Sequence, residues 1–409
     1  MFWVKKVNKK SKNILLIHRY FWPDNSSCSS IIKDISTNLI SDGNNVDVIS
    51  SQPSYRQNFK NTFRINPENI DGVNITRLNL PNETGSMFMR IKNSIKLGLY
   101  LIFRTLTKNY DLIIVTSIPP ILGGFFGMIA SKIKRIKLIY FCMDIHPEIG
   151  LLSKDYKKNI FYRFLLKIDI LNCKFADTII VHSKDMRDSI LSRNKKNQYN
   201  IKIINNFSKS FRINKNKNLH NYKKKNSLKI IYTGNLGRFQ SLQTIFKTME
   251  LIKENKLIEL ILVGEGSEKI FLKDMAKKTK INVKFIDYLS EPAAQLKINE
   301  ADIGLVSLMK DVYKYAYPSK TMSYLEQGKP IIAMIETSSQ LSIDMKKNGY
   351  GFSIIQDDHV AFANLLTKLS KSNLWRDRMS KNAIKAYKQY YTSDVILKSW
   401  SNVVNQTLK

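Results

Sequence analysis

Short uninterrupted apolar runs recur along this chain. They include Ile14-Leu15-Leu16-Ile17, Leu112-Ile113-Ile114-Val115, Leu138-Ile139-Tyr140-Phe141, Leu260-Ile261-Leu262-Val263 and Ile331-Ile332-Ala333-Met334. A strand with one wet face alternates apolar and polar residues. A run without alternation is a strand covered on both faces, the signature of a parallel sheet between helix layers. The segments between the runs agree. Ile31, Ile32, Ile35, Leu39 and Ile40 recur at helical spacing, Gly43 ends them, and Val46-Asp47-Val48-Ile49-Ser50 opens the next strand. Strand, loop, helix and parallel strand make a βαβ unit, and its repetition makes an open α/β sheet.

The pattern is interrupted once. Ser208 to Asn226 is dominated by Lys, Asn and Ser and has no apolar period, and at Ser227 the strand pattern restarts. This is the composition of a linker between two domains. The expected division is 1–207, a linker at 208–226, and 227–384, with a helical tail at 385–409. A chain of 409 residues is long enough for two such cores. Ala361 to Lys409 is helical by period, with Trp375 and Trp400 as packing anchors.

Charge narrows the partners. Sixty-six Lys and Arg stand against 33 Asp and Glu, a net +33. Such an excess favours nucleic acid, an acidic membrane surface or a phosphorylated substrate. An AT-rich coding bias also enriches Lys, Asn and Ile, but accounts less well for the shortage of acids. Cys28, Cys142 and Cys173 are widely spaced and the five histidines form no cluster, so neither a disulfide framework nor a zinc site is expected. No leader and no membrane span are evident. The nearest candidate span, Leu112 to Ala130, is broken by Pro119, Pro120, Gly123 and Gly124.

Four stretches carry chemistry. In Tyr317-Pro318-Ser319-Lys320-Thr321-Met322-Ser323-Tyr324-Leu325-Glu326-Gln327-Gly328-Lys329-Pro330, Ser319 is placed to cap a helix that Gly328 ends. A helix start with Lys320 in its first turn suits phosphate oxygens, and the plainer reading is an ordinary capped αβ connection. Gly234 and Gly237 follow a strand and admit close approach of a ligand, with Arg238 beside them to clamp phosphate. Asp144-Ile145-His146-Pro147-Glu148 follows another strand, and its two carboxylates, four apart, are able to face one cleft. A carboxylate there takes a proton from a hydroxyl or fixes it, and the alternative is that Asp144 caps the next helix. Last, Gly85 to Lys108 mixes Arg90, Lys92, Lys96, Arg104 and Lys108 with large apolar residues. This is a basic amphipathic helix that lies on an anionic membrane or packs in a core with its lysines snorkelling.

These motifs resemble, from Ile14 to about Tyr391, the family 4 nucleotide-sugar glycosyltransferases of the GT-B fold, in the bacterial branch that builds capsule, O-antigen and colanic-acid type polysaccharides. The shared marks are "YPSKTMSYLEQGKPII", the Tyr-x-Gly-Asn-x-Gly loop at Tyr232 to Gly237, the Gly264-Glu265-Gly266 turn, and Asp144 with Pro147 and Glu148. The resemblance implies an α/β GT-B fold, two Rossmann-like domains with parallel sheets facing a cleft, and a last helix that crosses back to the first domain. It implies a retaining, metal-independent transfer from a UDP-sugar, with no further cofactor, to a lipid-diphosphate-linked saccharide. The work would be done in the cytoplasm, peripherally at the inner face of the cytoplasmic membrane. The donor would meet Gly234, Asn235, Gly237, Arg238, Gly264, Glu265, Tyr288, Pro318, Ser319, Lys320, Thr321 and Ser323. The acceptor would meet Ser26, Ser27, Asp144, His146 and Glu148, and Asp144, Arg238 and Lys320 would carry catalysis. The chain departs from the family in four places: Ser26-Ser27 for a Gly pair, His146 for an aromatic residue, Gln240 for a Lys, and Tyr315 and Ser323 for two glutamates. A UDP-aminosugar epimerase of the same fold is the rival reading. A nucleic-acid-binding protein ranks last, because no nucleic-acid module is recognisable.

Overall fold

The computed structural model describes residues 11–24, 28–54, 64–83, 86–153, 157–194, 198–208 and 227–409. The first half runs β1 (Asn13–Ile17), α1 (Ser29–Ser41), β2 (Asn45–Ser51), β3 (Glu68–Ile70), β4 (Val73–Leu78), α2 (Met87–Thr107), β5 (Leu112–Thr116), α3 (Leu122–Lys134), β6 (Lys137–Phe141), α4 (Glu148–Leu152), α5 (Ile160–Phe175), β7 (Thr178–Val181), α6 (Lys184–Arg193) and β8 (Ile201–Ile203). Its sheet has the order β3-β4-β2-β1-β5-β6-β7-β8, parallel except for the antiparallel edge pair β3–β4. That hairpin is not marked by an apolar run. It is fastened by a buried ion pair, Arg77 Nε to Glu68 Oε2 at 2.8 Å.

The unbroken apolar runs have the expected cause, two covered faces. Leu15, Ile17, Ile113, Val115 and Tyr140 point to one core, and Ile14, Leu16, Leu112, Ile114 and Phe141 to the other. On the first face lie α2, α3 and α5. Glycines sink α3 against its neighbours: a Cβ at Gly127 would stand 2.5 Å from Val115, and one at Gly98 of α2 would stand 2.0 Å from Phe126 of α3.

The second half runs β9 (Leu228–Thr233), α7 (Gln243–Leu251), β10 (Ile258–Val263), α8 (Lys269–Thr279), β11 (Val283–Ile286), α9 (Glu291–Glu300), β12 (Ile303–Ser307), α10 (Lys320–Glu326), β13 (Ile331–Met334), α11 (Gln340–Asn348), β14 (Gly351–Ile354), α12 (His359–Lys371), α13 (Asn373–Tyr390) and α14 (Ser393–Thr407). Its six strands are all parallel, in the order β11-β10-β9-β12-β13-β14. The chain is thus α/β with two Rossmann-like sheets. No helix of the described residues is long and apolar enough to cross a membrane.

Helix α14 packs on the first sheet, opposite α2, α3 and α5. Trp400 is buried edge-to-face on Phe141 at 4.9 Å, and Thr407 meets Thr178 at 2.8 Å. Trp375, expected as a second anchor, is instead half-exposed beside Phe352, because its turn of α13 lies at the surface. Residues 209–226, the rest of the linker stretch, lie outside the described residues. Ser208, where the chain leaves the first half, is buried and meets Gln295 of α9 and Ser323 of α10.

Candidate active site

The two halves meet where the loop after β6 touches the segment that leads into α10. Asp144 forms an isolated antiparallel bridge with Ala316, and the Ile145 N–H donates to the Tyr315 carbonyl at 2.8 Å. On its own side the loop is held by the Ser117 hydroxyl after β5, which accepts from the N–H groups of Met143 and Asp144. Lys320 follows Ala316 by four residues. The seam therefore sets the loop of Asp144 against the segment that leads to Lys320.

Helix α10 is placed by packing and by its C-terminal end. Tyr324 lies against Gly304, where a Cβ would stand 2.4 Å from the ring, and its hydroxyl accepts from the Thr233 N–H at 3.0 Å. This fixes the helix to the end of β9. Gly328, at φ +62°, closes it with a Schellman pair: its own N–H donates to Leu325 and that of Lys329 to Tyr324. The start differs from expectation. Ser319 has helical dihedrals and its side chain caps nothing, while the N–H groups of Thr321 and Met322 turn back to the carbonyls of Pro318 and Ser319. What the helix start offers is Lys320 itself.

Lys320 is partly buried, with Nζ 4.4 Å from the centroid of the Tyr232 ring and its chain over Gly234. Among the described residues no carboxylate pairs with it. Burial lowers its pKa to about 8. A desolvated ammonium without a counter-ion is a site prepared for an anion. Asp144 is its counterpart. Its carboxylate accepts no hydrogen bond and joins no ion pair among the described residues, so it does not cap α4, and burial raises its pKa to about 6. It is still ionised at neutral pH.

Around Lys320 the ends of β9 and β10 press backbone on backbone. A Cβ at Gly264 would stand 2.0 Å from the Gly234 carbonyl oxygen, and both residues take positive φ. The Leu236 N–H donates to the Glu265 carbonyl. Arg238 lies on the following turn, two-thirds exposed and facing Glu268 at 3.8 Å. Gln240, where relatives were expected to carry Lys, accepts from the Gly237 N–H at 3.2 Å and shapes the turn instead of charging it.

Other expected contacts are redirected. Both oxygens of Glu148 are taken at 2.7 Å by Arg193, whose guanidinium also holds Asp169 at 2.7 Å and the His146 carbonyl at 2.7 Å. Glu148 therefore braces the loop and is not a second free carboxylate. Thr321 is fully buried, and the half-buried Ser323 faces Ser208 at 3.5 Å. Glu265 is bound to Lys269, which also holds Asp287, each at 2.6 Å. Asn235 and Tyr288 are exposed near the strand ends. Ser26 and Ser27 lie outside the described residues. The sequence did not reveal Tyr232 beneath Lys320, nor Arg193, a lone arginine at a helix end. Nor did it reveal Asp185 of α6, which accepts from the Gln340 N–H of α11 at 2.8 Å across the seam.

Comparison with known proteins agrees with the fold. Residues 213–386 match the family model "Glycosyl transferases group 1". The chain is 23% identical over 285 residues to the probable glycosyltransferase WbjE of Pseudomonas aeruginosa, which covers 65% of this chain and 68% of that protein. Among solved structures it is similar to a sucrose-phosphate synthase from Thermosynechococcus elongatus, with TM-score 0.76, 15% identity and 97% and 98% of the two chains covered. It is also similar to HepE of Anabaena in complex with UDP-glucose, with TM-score 0.69, 14% identity and 97% and 100% covered. The chain is a glycosyltransferase of the GT-B fold whose residues 213–386 match the group 1 glycosyl transferases.

Proposed function

We propose that this enzyme moves a sugar from a UDP-sugar to a lipid-diphosphate-linked saccharide. The transfer retains configuration, uses no metal, and serves surface polysaccharide synthesis at the inner face of the cytoplasmic membrane. The observation that carries the proposal is the seam itself: a desolvated lysine and a carboxylate, each unpaired among the described residues, on the two segments that the Asp144–Ala316 bridge joins. As the glycosidic bond breaks, negative charge gathers on the leaving diphosphate. Lys320 stabilises it from a preorganised, partly dry position, and the exposed Arg238 adds a second positive charge beside it. Asp144 orients the acceptor hydroxyl and takes up its proton. The choice of UDP is supported by HepE, solved with UDP-glucose. The lipid-borne acceptor is supported by the charge of the chain and its basic helix α2.

The test is calorimetric titration with UDP, GDP, ADP and dTDP, followed by a panel of UDP-sugars with and without a membrane lipid extract. UDP should bind best. Charge-assisted contacts contribute about 1.5–3 kcal/mol, so Lys320→Ala should weaken UDP by roughly ten- to a hundredfold, and the exposed Arg238→Ala by less. If both variants bind UDP as the parent does, the site assignment fails. Conversion of a UDP-sugar with no acceptor present would show an epimerase, and transfer to a soluble sugar alone would refute the lipid acceptor.

A further inference from the structure

Helix α2 is amphipathic in an unexpected sense. The side turned to the sheet carries Asn93, Ser94, Leu97, Gly98, Leu101 and Thr105. The opposite side carries Phe88, Ile91, Ile95 and Leu99, a stripe at helical spacing with Phe88 73% exposed. Large apolar residues on the solvent side are not needed to fold the domain, and contiguous patches of this kind mark contact surfaces. Lys92 and Lys96 lie along this stripe, and the helix contains no Asp or Glu.

Helix α5 repeats the arrangement. Ile160, 86% exposed, stands with Phe161 and Phe164 on the outside, and Arg163 and Lys167 lie among them. The one acid of α5, Asp169, is buried against Arg193. None of these outward cations has an ion-pair partner among the described residues. The two helices flank α3, which its glycines sink toward the sheet. Both run from the carboxyl edge of the strands to the opposite edge, because each joins a strand to a parallel neighbour across the sheet. Phe88 and Ile160 therefore stand at the same edge as Asp144.

We infer that α2 and α5 together form a two-armed seat for an anionic lipid bilayer. Their aromatic and aliphatic tips enter the interface, their cations meet the phosphate headgroups, and the acceptor side of the seam is held next to the membrane. The occupant follows from charge: an apolar surface whose outward Lys92, Lys96, Arg163 and Lys167 meet no acid among the described residues complements an acidic interface, whereas a second copy of a chain with net +33 would be repelled. This rests on the reading of a membrane-borne acceptor and adds α5 as a required arm.

The experiment is flotation of the full chain with vesicles of phosphatidylcholine alone and of phosphatidylcholine mixed with phosphatidylglycerol, at low and high salt. UDP affinity and mass in solution are measured in parallel. The parent should float with the anionic vesicles only, and less at high salt. Phe88→Ser with Leu99→Ser in α2, and separately Phe161→Ser with Phe164→Ser in α5, should each lower partition by about tenfold or more. All four positions are exposed, so UDP affinity should stay unchanged. Binding indifferent to phosphatidylglycerol, or untouched by the α5 pair, overturns the proposal, as does loss of a dimer in place of loss of vesicle binding. Loss of UDP affinity in the parent protein would strike the donor reading and leave this one standing or falling on flotation.

Discussion

Lys320 is an ammonium whose burial is offset by no carboxylate among the described residues, and this sets how the site answers to pH. Burial holds its pKa at about 8, below that of a lysine in water. A bound diphosphate stabilises the charged form and pulls the value back up. The free site thus loses its proton before the occupied one does. UDP affinity should be nearly flat around pH 7, where Lys320 is charged in both states, and should fall by at most about tenfold per unit above pH 8. Lys320→Arg keeps its charge throughout and should remove the decline. Calorimetry between about pH 7 and 9.5 checks this above the phosphate's own ionisation near 6, and a flat parent profile would refute it. This lysine was legible in the sequence because a Pro-Ser pair precedes it and Gly328 ends its helix. Asp144 was legible as an acid at the end of an apolar run. The fate of Glu148 was not, because its partner Arg193 stands 45 residues away and only the fold brings the two together.

At the scale of elements, Arg193 ties three helices. It lies at the end of α6, grips Glu148 at the start of α4, and reaches Asp169 in α5, which in turn accepts from Tyr140 on β6 at 2.7 Å. All three ionic partners are nearly out of water, Arg193 at 3% and Asp169 at 2% exposure. Removing one member leaves uncompensated buried charge, so Arg193→Ala should cost about 3–5 kcal/mol. Arg193→Lys should recover little of it, because a single ammonium cannot serve both carboxylates and the His146 carbonyl in this geometry. Thermal melts with and without UDP check this, and an unchanged first transition would refute it. The elements that the sequence showed best are those whose apolar residues run without a break. The β3–β4 hairpin was missed because it buries only alternate residues such as Val73 and Ile75 and relies on Arg77, a charge that reads as surface. For α2 the period was plain but its direction was not. Hydrophobicity locates an apolar face, and only the packing of Gly98 on Phe126 shows that this face looks away from the core.

At the scale of the molecule, the first sheet is completed by the last helix. One face of that sheet is covered by α1 and α14, and Ile396, Trp400, Val403 and Val404 share a core with Ile14, Val48, Ile114 and Phe141. The other core runs without interruption from Leu15 and Val115 across the seam to Tyr317, Met322 and Tyr324. The two halves are thus linked twice, by a strap at one side and by contiguous packing at the site. Shortening a buried tryptophan to alanine costs about 3–5 kcal/mol. Trp400→Ala should therefore loosen the first sheet, although it lies 259 residues beyond its ring partner Phe141 (400 less 141). Hydrogen exchange followed by mass spectrometry should show faster exchange in β6 and in α1, with β9, β10 and α10 protected as in the parent and UDP affinity within about twofold. Equal loosening of both sheets would mean that the halves unfold as one unit. Loosening confined to α14 would mean that this helix only rests on the first sheet and does not complete it.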